Sequence, residues 1–124
     1  MIMTIETVAD RYRTTLRADL KQAMKDKNRP AVAALRSLLA AIDNAEAVDA
    51  SHVSAGAIET SAAGLGTADV PRRELTAEHI DTIIESEHNE RISAAKQYDD
   101  FPGGAARAAE LRAEAAALAK YVAS

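Results

Sequence analysis

The sequence contains no cysteine in its 124 residues. Disulfide bonds, thiolate nucleophiles and cysteine-ligated zinc sites are therefore excluded. Aromatic residues make up only 3% of the chain, so few rings are present on which nucleic-acid bases could stack. No apolar run approaches the length of a membrane span, and the N-terminal stretch MIMTIETVADR lacks a signal-peptide pattern. We expect a cytoplasmic protein that does not contact a membrane.

The composition is that of a folded globular protein. Hydrophobic residues account for 48% and charged residues for 27%, and the length suits one domain with its own core. Alanine is abundant, the larger apolar residues are Leu, Ile and Val, and strand-like alternation is scarce. We therefore predict a single all-α domain over residues 1–124.

The spacing of apolar residues predicts a four-helix domain with one long loop. The helices are expected at about residues 5–27, 30–47, 77–98 and 102–122, and the loop, which joins helices two and three, at 49–74. Thr4 and Thr76 suit the N-caps of the first and third helices. Pro30 and Pro102 suit the first turns of the second and fourth.

Positive charge is concentrated in the first helix. Residues 1–30 contain seven Lys or Arg against four Asp or Glu, whereas the whole chain has a net charge of −4. Cations recur every fourth residue and continue into the following turn. These RNA-binding candidates, the basic ridge, are Arg13, Arg17, Lys21, Lys25, Lys27 and Arg29.

Two interpretations of the basic ridge stay open. Contacts to RNA phosphates need positive charge that follows a backbone and no particular sequence code. Alternatively, the ridge is a solvated helix face, because Asp10, Asp19 and Asp26 are interspersed with the cations and could support the helix through ion pairs.

Three ionisable residues interrupt the apolar stripes that should face the core. Glu46 follows Leu39 and Ile42 in RSLLAAIDNAEAVD, and Glu87 and Arg91 occupy the centre of the third helix's stripe. Buried charges need partners. We predict one structural network, in which Arg91 pairs with Glu46 and shares its guanidinium with Glu87.

The alternative interpretation of these carboxylates is acid–base or metal chemistry. A di-metal site in a four-helix bundle normally uses two Glu-x-x-His motifs, and this chain has one, at Glu85 and His88. We therefore predict no catalytic residue, no metal site and no cofactor.

Three longer segments together resemble the GatB/YqeY family. They are LRADLKQAMKDKNRPAVAALRSLLAAIDNAEAVD, RRELTAEHIDTIIESEHNERISAAKQYDD and AAELRAEAAALAKYV, which cover most of the chain outside the glycine-containing loop. The most specific string runs from Leu35 to Glu46.

The resemblance implies a YqeY-like helical domain related to the tail of the GatB subunit of the tRNA-dependent amidotransferase. That tail is associated with tRNA recognition, while glutamine hydrolysis and amide transfer reside in other domains and subunits. Longer YqeY-like members continue into a second C-terminal helical bundle. This chain ends near Tyr121 and Val122, where that bundle would begin.

Three functions follow as hypotheses. The first is a non-catalytic accessory module associated with tRNA or with amidotransferase subunits. The second is a protein-interaction or self-associating module without RNA binding. The third is the family-level activity of a carbon–nitrogen ligase with glutamine as amido-N-donor, although the sequence offers no nucleophile, metal set or nucleotide loop for it.

Overall fold

The computed structural model describes the backbone of residues 6–60 and 74–123, and the side chains of residues 6–47 and 74–123. Over these ranges the chain forms four helices and no strand, which confirms the all-α four-helix prediction. No described helix combines the length and the apolar composition needed to cross a membrane. The helices are α1 (Val8–Lys25), α2 (Arg29–Thr60), α3 (Ala77–Asp99) and α4 (Ala105–Ala119).

Helix α1 begins three residues later than predicted, and its N-cap is Thr7, not Thr4. The Thr7 side chain accepts a hydrogen bond of 3.0 Å from the backbone N–H of Asp10. Asp10 itself lies in the first turn, where its negative charge interacts favourably with the helix dipole. These two interactions fix the start of the helix.

Helix α2 is longer than the sequence pattern indicated. The prediction of a loop over 49–74 is wrong for residues 49–60, which continue α2 to Thr60. This stretch contains no proline, and its alanines have the highest helix propensity, so the backbone can keep its internal hydrogen bonds. The rest of the predicted loop, residues 61–73, lies outside the described residues.

The boundaries of α3 follow the predicted capping signal. Thr76 accepts a hydrogen bond of 3.1 Å from the backbone N–H of His79, and the His79 ring interacts in return with the Thr76 N–H. Helix α4 is three residues shorter at each end than predicted. Gly103, at φ 79°, and the bond from Gly104 N–H to Phe101 O occupy the turn that we had assigned to the helix.

The main core lies between α1, α2 and α3 and includes the end of α4. Burial of these apolar side chains is the principal force that holds the four helices together. The largest fully buried members are Leu16, Leu38, Ile42, Ile80, Ile84 and Leu118.

A polar contact ties the end of α4 to α1. The hydroxyl of Tyr121 donates to Asp19, and Lys120 Nζ lies 3.3 Å from the same carboxylate. The hydrogen bond from Tyr121, assisted by Lys120, lowers the pKa of Asp19 despite partial burial. Burial, together with the bond to Asp19, raises the pKa of Tyr121 well above its ordinary value.

The raised pKa of Tyr121 predicts how the free energy of unfolding changes at alkaline pH. Because the folded-state pKa of Tyr121 lies above its unfolded value of 10.0, its contribution is complete below pH 10 and is lost as the pH rises further. Urea unfolding of the wild type should therefore lose more free energy between about pH 9 and pH 11 than that of Tyr121→Phe. Equal losses in the two proteins would contradict the contact.

Candidate functional site

A buried arginine joins α1 to α2. The guanidinium of Arg13 binds Glu46, and also lies 2.8 Å from Asp43 and 3.3 Å from Asp10. The side chains of Arg13 and Glu46 are each only 12% exposed, whereas Asp10 and Asp43 are about half exposed. Arg13 is therefore the counter-ion of the carboxylate that interrupts the α2 stripe.

The predicted pairing of Glu46 with Arg91 is wrong. The Oγ of Ser37 donates to Glu87 over 2.6 Å, which places the middle of α2 beside the middle of α3. Glu46 is nine residues further along α2, roughly 13 Å along the helix axis. That distance exceeds side-chain reach, and Glu46 instead meets α1, which returns antiparallel to α2.

A second polar cluster joins α3 to α4. Arg91 Nε donates to Glu114 over 3.0 Å, and Arg91 Nη1 lies 3.3 Å from Glu87. All three side chains are between 11% and 16% exposed. The predicted Glu87–Arg91 pair is present, and Glu114 is the partner that takes the place we had assigned to Glu46.

The arrangement of these groups favours stability over reaction chemistry. The three buried carboxylates, Glu46, Glu87 and Glu114, each contact an arginine. Every buried side-chain nitrogen or oxygen in the described residues has a hydrogen-bond partner. Within the same residues, no group of three or more His, Asp or Glu side chains is placed to hold a metal ion.

Sequence reasoning missed two of the residues that complete these clusters. Glu114 lies between Leu111 and Ala115 on the buried side of α4, so it interrupts that stripe as Glu46 interrupts the stripe of α2. The same rule would have found it. Asp43 carries no such signal, because it is exposed and reaches Arg13 only through the helix packing.

Five of the six cations of the basic ridge lie on the surface, and Arg13 does not. Arg13 is turned inward, and the other five cations are exposed. In residues 6–47 and 74–123, none of the five forms an ion pair. We call this surface the cationic face; it consists of Arg17, Lys21, Lys25, Lys27 and Arg29.

Two of the acidic residues in and beside α1, Asp10 and Asp19, pair with cations outside the cationic face. Asp10 pairs with Arg13, Asp19 binds Tyr121 and Lys120, and Asp26 accepts from Gln22 over 3.0 Å. Of the ion pairs that the solvated-face interpretation predicts, the described residues contain the one between Asp10 and Arg13, so that interpretation remains an alternative for the other five cations. Arg17 alone shares a shallow hollow with Asp10 and Asp43.

One cation of this face occupies a strained backbone position. Lys27 has φ 55°, and its N–H bonds to Met24 O while the N–H of Asn28 bonds to Ala23 O. This is a Schellman ending, whose left-handed position is usually taken by glycine because a Cβ is disfavoured there. A charged residue is present where a neutral, unstrained one would stabilise the turn better.

Comparisons of the chain with protein-family models, with curated proteins and with solved structures gave no match.

The revised pairing predicts which substitutions depend on each other. In a double-mutant cycle of urea unfolding, Glu46→Gln and Arg13→Met should be coupled by about 1–3 kcal/mol, because each removes the other's partner. Glu46→Gln and Arg91→Met should add to within about 0.5 kcal/mol. Additive effects in the first pair, or strong coupling in the second, would restore the single network that the sequence predicted.

Proposed function

We propose that this protein is a non-catalytic helical module that binds tRNA through its cationic face and acts as an accessory to the tRNA-dependent amidotransferase. One observation carries the proposal. Five exposed cations without ion pairs in the described residues follow one side of α1 into the α1–α2 turn.

The spacing of these cations suits a phosphate backbone. Arg17, Lys21 and Lys25 extend roughly 12 Å along α1, and Lys27 and Arg29 continue the positive charge around the turn. Side chains that donate to phosphates fix a protein on a nucleic acid without reading its bases. The rest of the chain is acidic, so RNA would be confined to this face.

Folded RNA is a better candidate than an extended single strand. Single strands are usually held by rings that stack on successive bases, and the described part of α1 and its turn presents no exposed aromatic side chain. Helical RNA is recognised mainly through its shape and backbone. The resemblance to the GatB/YqeY family is the reason for choosing tRNA among folded RNAs and for proposing that the module acts in the cytoplasm.

Salt dependence of tRNA binding tests this proposal. Each phosphate contact contributes about 0.9 to the slope of log K against log salt concentration on duplex nucleic acid. For a tRNA transcript, Lys21→Gln should reduce the magnitude of this negative slope by about 0.9, and Arg17→Gln/Lys21→Gln should reduce it by up to about 1.8. Fluorescence anisotropy at four or more salt concentrations supplies the slopes.

Lys96→Gln is the matched control, because Lys96 is an exposed lysine on a different helix, in the last turn of α3, and is not a member of the cationic face. It should leave the slope unchanged. Absence of tRNA binding by the wild type at low salt would end the proposal. An equal loss in Lys21→Gln and Lys96→Gln would show only general attraction to polyanions.

Because Lys27 combines a left-handed backbone with a positive charge, we expect substitutions there to change the free energy of unfolding and the tRNA affinity in opposite directions. Lys27→Gly should raise the free energy of unfolding by about 0.5–1 kcal/mol by relieving the left-handed strain, and should weaken tRNA binding by removing a cation. Lys27→Gln keeps the strain and should weaken binding to the same extent without the gain in stability. A destabilised Lys27→Gly, or unchanged tRNA affinity in both variants, would contradict this role.

A further inference from the structure

Three large hydrophobic side chains are exposed in the described part of the chain. They are Met24, which is 51% exposed, Tyr98 at 39% and Phe101 at 62%. Met24 lies at the end of α1, whereas Tyr98 and Phe101 lie at the α3–α4 turn. The apolar surface is therefore concentrated at two helix turns, and exposed apolar groups of this kind mark binding surfaces when they are clustered.

The first turn contains an open groove with a basic rim. Its apolar lining, which we call the floor, consists of Met24, Val32 and Ala33, and its basic lining, which we call the rim, consists of Lys27, Arg29 and Arg36. The groove has a volume of about 480 Å³. No rim cation has an ion-pair partner within residues 6–47 and 74–123. We call this feature the basic groove.

The α3–α4 turn combines exposed aromatic rings with a negative charge. The rings of Tyr98 and Phe101 stack edge to face, with centroids 6.1 Å apart. Asp100 between them is exposed and has no ion pair in the described residues, while Asp99 is bound by Arg112. Tyr98, Asp100 and Phe101 form what we call the aromatic knob.

The aromatic knob is held in place by its own turn. A Cβ on Gly104 would lie 2.0 Å from the carbonyl oxygen of Tyr98, so the backbone is packed too closely for any other residue. Beneath the turn, Ala95, Ala108 and Leu111 form a small core separate from the main one. The knob therefore lies at the tip of a closely packed α3–α4 turn.

We propose that the aromatic knob of one copy of this chain docks into the basic groove of a second copy. Phe101 would cover the floor, where a methionine sulfur contacts aromatic rings favourably. Asp100 would meet the cationic rim, and Tyr98 offers a ring face to an arginine. The groove is larger than one aromatic side chain, and its charge is opposite to that of Asp100.

The apolar floor distinguishes this occupant from RNA. Phosphate contacts use only the rim cations and leave Met24, Val32 and Ala33 unused. Docking of a second copy uses both the floor and the rim. The inference does not rest on the proposed tRNA binding: the rim shares Lys27 and Arg29 with the cationic face, but Met24 and Phe101, on which docking depends, lie outside that face.

A mixing experiment tests the docking directly. Sedimentation velocity of the wild type, up to about 1 mM, should show a mass that rises above the 13.2 kDa monomer. Phe101→Ser removes the knob and Met24→Glu blocks the groove, and each variant alone should associate about tenfold more weakly. A mixture of the two should recover association, because one retains the groove and the other the knob.

Ala113→Glu, on the exposed side of α4, is the control and should associate like the wild type. Circular dichroism establishes that each variant keeps its helices. A wild type that is monomeric at every concentration overturns the proposal, as does a Phe101→Ser protein that associates normally. A mixture that behaves as the sum of its components also overturns it. Phe101→Ser should bind tRNA like the wild-type monomer, so failure of docking and failure of RNA binding are separable.

Discussion

The ion pair between Arg13 and Glu46 determines how the charges of this protein are divided between its interior and its surface. Glu46 lies on the apolar side of α2 and cannot remain charged there without a counter-ion. Because α1 returns antiparallel to α2, its first turns supply that counter-ion. This fixes the register of the two helices and removes Arg13 from the basic ridge. Arg91 does the same between α3 and α4, with Glu87 and Glu114.

The cations of the cationic face, unlike Arg13 and Arg91, form no ion pair in the described residues. The acidic residues of α1 are bound elsewhere: Asp10 to Arg13, Asp19 to the end of α4 and Asp26 to Gln22. Asp10 and Asp19 are thereby paired with cations outside the cationic face, whereas Asp26, whose partner Gln22 is neutral, keeps its charge between Lys25 and Lys27. A protein of net charge −4 can in this way present one positive surface, which is the physical basis of the proposed binding to tRNA.

Periodicity and capping residues were sufficient for the fold class and for the start of α3 at Ala77 after Thr76. They were insufficient for the end of α2, because serine, threonine and glycine obscured a stretch that alanine keeps helical to Thr60. They also identified Glu46, Glu87 and Arg91 as core-facing charges but paired Glu46 wrongly. A stripe specifies which side of a helix is buried, whereas the choice of partner depends on the axial offset between helices, which only packing determines.

The central claim is that inward charges hold the helices and outward charges bind RNA. Amide and arginine Nε–H spectra of ¹⁵N-labelled protein, recorded as a tRNA transcript is added, test both halves at once. We predict shifts from Arg17 through Arg29, with the Nε–H signals of Arg13 and Arg91 unchanged because their carboxylate partners keep them. Chemical-shift changes centred on α3 and α4, or a change in the Nε–H signal of Arg13 when tRNA is added, would contradict the account.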